Sequence, residues 1–325
     1  MMKKIAFVFP GQGAQYVGMG QDFAQEYDVA SKVFDDASEA IGYDMKELCF
    51  NSSDEELMKT ENTQPSILTA SYAIYKVIEE KGIVPYAVAG LSLGEYSALV
   101  ASGAIDFKDA VRVVQKRGQY MQEEVPMGVG TMAAILGLEN DKVLKACEMA
   151  SATGIVEPAN YNCPKQLVIA GEVAAVEKAV EHCKELGAKK TVMLPVSAPF
   201  HTSLLLGAGR KLGKELEKVE IRKHKIPVVS NVDAKYVDCH STIREKLIQQ
   251  VSNPVQWEKS VETLINDGVD VFLQIGPGNA LTKFIKKISK NVKVMNVENL
   301  ESLDKTLEKL EALDKTMETI GDIVA

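Results

Sequence analysis

The chain has 325 residues, 46% hydrophobic and 25% charged, with 45 acidic side chains against 37 basic ones for a net charge of −8. That length buries a large core in one domain or two, the composition is that of an ordinary globular protein, and the acidic balance excludes general nucleic-acid binding. No apolar run reaches the roughly 20 residues of a membrane span, and the run Ile5–Phe9 behind Lys3 and Lys4 is too short for a secretory core, so neither a membrane nor export is expected.

Ile5–Phe9 reads as a first buried strand, and Pro10-Gly11-Gln12-Gly13-Ala14-Gln15 follows it. A dinucleotide fingerprint is excluded there, because Tyr16 stands where that motif needs Gly or Ala. The glycines either make a tight turn or let the Gln12 backbone N–H approach a substrate oxygen. Residues 86–89 read as a second strand, running into Gly90-Leu91-Ser92-Leu93-Gly94-Glu95-Tyr96 and a helix over 93–101. A serine on such a strand-to-helix turn is pushed out of the backbone, and the helix N-terminus behind it offers N–H groups to a developing oxyanion.

In the helix expected over 106–122, the apolar stripe is Ala110, Val113, Val114 and Met121, and Arg117 lies on it. An inward cation needs either a buried carboxylate or an anionic ligand, which arginine can grip through two parallel hydrogen bonds. Strands over 131–138, 154–161, 166–170 and 190–195, with helices over 141–152 and 173–186, give the order β-α-β-β-α-β of a ferredoxin-like unit. Met127-Gly128-Val129-Gly130 and Ser197-Ala198-Pro199 would hinge it into the larger body. Residues 227–230 and Val271–Ile275 read as further strands buried on both faces, which argues a parallel sheet covered by helices. After Gly276-Pro277-Gly278, residues 280–290 place Leu281, Phe284, Ile285 and Ile288 on one face. Lys283, Lys286, Lys287 and Lys290 lie largely off it, either a merely solvated face or a basic patch on an acidic protein. From Glu301 a charged amphipathic helix carries Leu303, Leu307, Leu310, Leu313, Met317 and Ile320 on one stripe, suited to packing on the body rather than to a coiled coil.

A serine nucleophile needs a base. His182 lies in a helical run, His224 in a charged string and His240 in a polar stretch, whereas His201 follows Pro199-Phe200 at the hinge, where an interdomain cleft would form. His201 is therefore the expected base, against the alternative that it caps the following helix. The five cysteines (Cys49, Cys147, Cys163, Cys183, Cys239) are scattered, form no C-x-x-C pair and do not cluster with histidines. Neither a metal centre nor a disulfide framework is expected, and a reducing cytoplasm is.

Together these motifs resemble the malonyl-CoA:acyl carrier protein transacylases over roughly residues 3 to 300. The resemblance runs through the Pro10–Gln15 and Gly90–Glu95 segments, Gln115-Lys116-Arg117-Gly118, Ala198-Pro199-Phe200-His201, Asn253-Pro254-Val255-Gln256-Trp257 and Gln274-Ile275-Gly276-Pro277-Gly278, in order. It implies an α/β fold: a large α/β-hydrolase-like subdomain with a parallel sheet core over 1–127 and 199–300, an inserted smaller ferredoxin-like α+β subdomain over 128–198, and a C-terminal amphipathic helix over 301–325. It implies Ser92 as nucleophile, His201 as base without an acidic third member, and the Gln250 backbone carbonyl as the group orienting His201. Gln12 and Leu93 would supply the oxyanion-hole N–H groups, Arg117 would bind the malonyl carboxylate, and Asn160 and Asn162 would line the cleft. No cofactor is implied. The partners would be malonyl-CoA and an acidic acyl carrier protein, with the Lys283–Lys290 face as its docking patch and a monomer as the default. The family usually carries histidine before the serine, and this chain carries Leu91. Alternatives are an acyltransferase serving a polyketide synthase, for which Phe200 fits the malonyl-selective pattern, and a thioesterase or serine hydrolase, which has no need of Arg117.

Overall fold

The computed structural model describes residues 3–196 and 198–324. Among the described residues nine strands form two sheets: β1 (Ile5–Phe9), β2 (Ala87–Gly90), β3 (Gly130–Leu136), β4 (Val156–Cys163), β5 (Gln166–Glu172), β6 (Lys190–Met193), β7 (Val228–Val229), β8 (Val271–Ile275) and β9 (Lys293–Val297).

The large sheet is parallel, in the order β7-β2-β1-β8-β9. Its strands are buried on both faces, and the two-residue alternation divides them between two cores. Ile5, Phe7 and Phe9 of β1 join Val88, Leu273 and the helices Thr60–Glu80, Gly94–Ala101 and Phe107–Glu124 on one side. Ala6 and Val8 face Ala87, Ala89, Phe272 and Trp257 on the other, under the helices Trp257–Asn266 and Ala280–Ile288.

The small sheet is antiparallel, in the order β4-β5-β3-β6. In chain order this is the ferredoxin-like arrangement, two βαβ halves splayed so that the first and third strands lie at the centre. Ala133, Ile135, Leu167 and Ile169 bury one face against the helices Asn140–Ala150 and Val173–Glu185. Met132, Ala134, Val168 and Ala170 on the opposite face join the core of the large unit. The two units meet tightly at the expected hinge. A Cβ on Gly130 would lie 2.4 Å from Pro199 Cδ, so only glycine fits there. Ser197 lies outside the described residues. A second seam runs through the Asn253–Trp257 motif, where Tyr161 N donates to Val255 O at 2.9 Å and Val255 N to Ala159 O at 2.8 Å.

The helix Leu300–Val324 continues from β9. Leu303 and Leu310 are buried and Leu307 and Leu313 pack on the main core, so its first half lies on the body. The side chains of Met317 and Ile320 lie outside the described residues. No described helix is long and apolar enough to cross a membrane.

Candidate active site

Ser92 leaves β2 with φ of 54°, a left-handed conformation that costs a non-glycine residue free energy and persists only where the surroundings enforce it. The surroundings do so through Asn231, whose Oδ1 accepts from Ser92 N at 2.6 Å and whose Nδ2 donates to Gly90 O at 2.6 Å. The glycines of the motif are needed for close approach. A Cβ on Gly90 would lie 1.9 Å from the Gly94 carbonyl, and one on Gly94 would lie 2.1 Å from Phe9 O. The helix Gly94–Ala101 starts immediately behind the serine.

His201 is also left-handed, with φ of 63°, and is 3% exposed. Its Nδ1 lies 2.7 Å from the Gln250 backbone carbonyl, and its Nε2 lies 2.7 Å from Ser92 Oγ. A carbonyl only accepts, so Nδ1 carries the proton and Nε2 is the lone pair facing the hydroxyl. Burial, with the Arg117 charge adding to it, pushes the imidazole down to about 3. It is therefore neutral, and able to accept a proton, at any ordinary pH.

Arg117 is 1% exposed on the inner face of its helix. Its Nη1 donates to Gln64 Oε1 at 2.8 Å, and its Nη2 to Gln250 Oε1 at 3.0 Å and to Ser92 Oγ at 3.2 Å. The Tyr96 ring lies under it at 5.6 Å. These partners are all neutral, and Arg117 Nε is a buried donor with no partner among the described residues. Burial pulls the guanidinium below its usual range, yet arginine stays charged. The site thus holds a desolvated cation touching Ser92 Oγ, with spare capacity for an anion.

A cavity of about 250 Å³ opens onto this group, lined by Ser92, His201, Arg117, Gln12, Asn160 and apolar side chains that include Met121, Met132 and Phe200. A wider recess of about 660 Å³ adjoins it, sharing Gln12, Met58, Pro195 and Val196. The backbone N–H groups of Gln12 and Leu93 have no hydrogen-bond partner among the described residues. The Leu93 side chain is buried in the core, with its N–H at the helix start. Leu91 lines the cavity, and its carbonyl would lie 2.4 Å from a Cβ on Gly11, so the Gln12 turn is pressed directly onto the serine turn.

Asn162 is buried but does not line the cavity. Register shifts between Pro158 and Asn160 and between Tyr161 and Cys163 interrupt the alternation that would have carried both asparagines to one face. Lys283, Lys286, Lys287 and Lys290 lie away from the cavity as an exposed row. Lys283, Lys286 and Lys287 stand on the helix Ala280–Ile288, with Lys290 beyond its end; that helix begins two residues after Gly278, which packs against Ala14 of the cavity-side turn. Sequence reasoning did not single out Gln64 or Asn231, nor the carboxylate of Glu95, buried and pushed up to about 7 by desolvation. Polar residues inside apolar segments were the available signal for all three. Among the described residues no cluster of His, Cys, Asp and Glu could hold a metal.

Residues 6–321 match the acyl transferase domain family. The chain is 47% identical to the malonyl CoA-acyl carrier protein transacylase of Escherichia coli K12 over 94% of its own length and 100% of that protein. The crystal structure of the corresponding Clostridium perfringens transacylase superposes with a TM-score of 0.94 at 49% identity, covering 97% of this chain and 99% of that one. A malonyl-transacylase solved in complex with a type II PKS acyl-carrier protein gives 0.92 at 45% identity, over 94% and 100%. An oriented Ser–His pair, beside a buried cation whose hydrogen-bond partners are all neutral, thus sits in a chain that belongs to the malonyl CoA-acyl carrier protein transacylase family of acyl transferases.

Proposed function

We propose that the chain transfers malonyl groups from malonyl-CoA to the phosphopantetheine thiol of acyl carrier protein in fatty acid synthesis, through a malonyl-Ser92 intermediate. The observation that carries the reading is Arg117, a buried cation with neutral partners 3.2 Å from the nucleophile. A hydrolase of neutral acyl groups gains nothing from it, whereas a malonyl carboxylate supplies the missing charge.

In the first half-reaction Ser92 Oγ attacks the thioester carbonyl while His201 Nε2 takes its proton. The Gln250 carbonyl holds the imidazolium that results. The oxyanion is received by the Gln12 and Leu93 N–H groups. Collapse breaks the C–S bond, and His201 returns the proton to the CoA sulfur. In the second half-reaction the carrier thiol gives its proton to His201 and attacks the carbonyl of malonyl-Ser92. Collapse breaks the bond to Ser92 Oγ, His201 returns the proton to that oxygen, and the malonyl group leaves on the carrier as the new thioester. Arg117 holds the carboxylate, and the apolar lining keeps water from competing with the thiol. No step needs a cofactor.

The same chemistry would serve a polyketide carrier, and the solved complex with such a carrier keeps that second reading open. We further assign residues 128–198 to the small subdomain, 1–127 with 199–300 to the large one, and 301–325 to the tail helix, and place the protein in the cytoplasm as a monomer.

Intact-mass analysis after mixing with malonyl-CoA or acetyl-CoA tests the reading. Malonyl-CoA should add one malonyl group, absent in Ser92→Ala. Arg117→Ala should slow malonyl loading by roughly a hundredfold, about 3 kcal/mol, while changing acetyl loading far less. Equal loading of wild type by both donors would sink the role given to Arg117.

A further inference from the structure

Glu95 stands on the first turn of the helix behind Ser92 and is 2% exposed. Its Oε2 accepts from Gln250 Nε2 at 2.6 Å and from the Asn231 backbone N–H at 3.2 Å. Each partner in turn holds part of the active site. Asn231 clamps the serine turn, as described above. Gln250 presents its backbone carbonyl to His201 and its side-chain Oε1 to Arg117, while its Nε2 also donates to Ser92 O at 3.0 Å.

The amide of Gln250 could face either way. Arg117 only donates, so it needs Oε1 towards it, and Nε2 must then point at an acceptor. The Glu95 carboxylate is the charged and the nearest of the acceptors it reaches, Ser92 O being another. Were residue 95 neutral, the amide would lose its strongest reason to keep this orientation, and Arg117 would lose a partner that fixes its aim.

Building on the roles proposed for Ser92, His201 and Arg117, we propose that Glu95 is a positioning residue of the transfer reaction: by orienting the Gln250 amide it sets Arg117 and His201 together.

A pH dependence follows. Burial pushes the Glu95 carboxyl up to about 7, against the Gln250 and Asn231 donors that favour its ionised form. The other charged or titratable groups acting on it are Lys246 from the Gln250 helix, Arg117 from its own helix, and Tyr96 next in sequence. Protonation removes the charge from the oxygen that accepts from Gln250 and Asn231, leaving a weaker neutral acceptor, so the anchor weakens as pH falls through about 7. His201, held near 3, does not titrate in that range.

The test is the rate of malonyl loading onto Ser92 from malonyl-CoA, followed by intact mass from pH 5.5 to 8.5. Wild type should speed up by about tenfold across that range, with a midpoint near 7. Glu95→Gln should load at least about tenfold more slowly at pH 8, with a raised KM and no such limb, and Glu95→Asp should restore part of the rate together with the limb. In a Gln250→Ala background, which keeps the backbone carbonyl, Glu95→Gln should cost less than about twofold more. The proposal is overturned if Glu95→Gln keeps the wild-type limb, or costs the same factor in both backgrounds. Should Glu95→Gln not fold, the wild-type profile decides: loading that is flat across the range overturns it. Absence of any malonyl adduct on wild type would instead overturn the transfer reading itself.

Discussion

At the scale of single residues, the site is made of groups whose ordinary properties are suppressed by burial. His201 is the plainest case. Its unfolded pKa is 6.5, and in the folded chain burial and Arg117 hold it near 3. The folded form therefore refuses a proton that the unfolded form accepts. By linkage, His201 destabilises the fold as pH drops below about 6.5, by up to about 1.4 kcal/mol per pH unit until pH approaches about 3, and the cost is absent above 6.5. Denaturant unfolding of wild type and His201→Asn at several pH values should give curves that converge or cross in acid, the wild type losing its advantage as pH falls. Parallel curves would mean that the imidazole is not held neutral. Position in the chain was enough to single out His201, because the hinge, the preceding Pro199-Phe200 and the exclusion of three rivals are all written in the sequence. Gln64, Glu95 and Asn231 were not legible in the same way. Their roles consist of hydrogen bonds to partners 53, 155 and 139 residues away, and no local pattern encodes such a bond.

At the scale of elements, the turn after β2 shows why some features read clearly. A strand-to-helix turn this tight needs glycine wherever backbones touch, and that need is absolute rather than statistical. Gly90→Ala puts a methyl 1.9 Å from the backbone carbonyl of Gly94, and backbone cannot swing aside as a flexible side chain can. The substitution should cost more than about 3 kcal/mol and shift the melting temperature down by several degrees or abolish soluble expression. Gly42→Ala, at a helix end where nothing lies within 4 Å of the new methyl, should cost only the strain of its left-handed backbone, about 1 kcal/mol. Comparable melting temperatures for the two variants would contradict the close packing of the turn. Elements with one wet and one dry face were equally legible, as the Phe107–Glu124 stripe shows. The helix Thr60–Glu80 was not. It is buried on nearly every side, mixes Thr63, Gln64, Ser66, Thr69 and Ser71 among its apolar residues, and carries Pro65 a turn inside its start. A helix enclosed all round has no apolar stripe for the eye to follow, and internal proline argues against a helix from sequence alone. β9 was missed because its exposed Lys293 and half-buried Asn296 belong to a sheet edge, where the apolar run that marks the central strands breaks up.

At the scale of the whole molecule, the net charge of −8 sets a problem for any acidic partner, and we propose the row Lys283, Lys286, Lys287 and Lys290 as the place where it is relieved. Lys287 Nζ donates to Gln166 Oε1 at 3.0 Å, at the start of β5, so one lysine of the row reaches across to the small unit. Its helix grows from the loop that packs on Ala14, one side of the turn that lines the cavity. A carrier docked on the lysines would thus rest on the helix adjoining the path to Ser92. Steering by exposed charges acts on association and is screened by salt, with a Debye length of about 10 Å at 0.1 M. The two half-reactions separate this effect from chemistry. Lys286→Glu with Lys287→Glu should leave malonyl loading from malonyl-CoA within about twofold of wild type, because no lysine of the row touches the cavity. The same pair should lower kcat/KM for the carrier by roughly tenfold or more at low salt, through KM rather than kcat, and the gap should close as ionic strength rises. Unchanged carrier turnover at low salt would return the row to a solvated face. A fall in the loading step as well would mean that the lysines act on the folded body or on CoA, and not on the carrier alone.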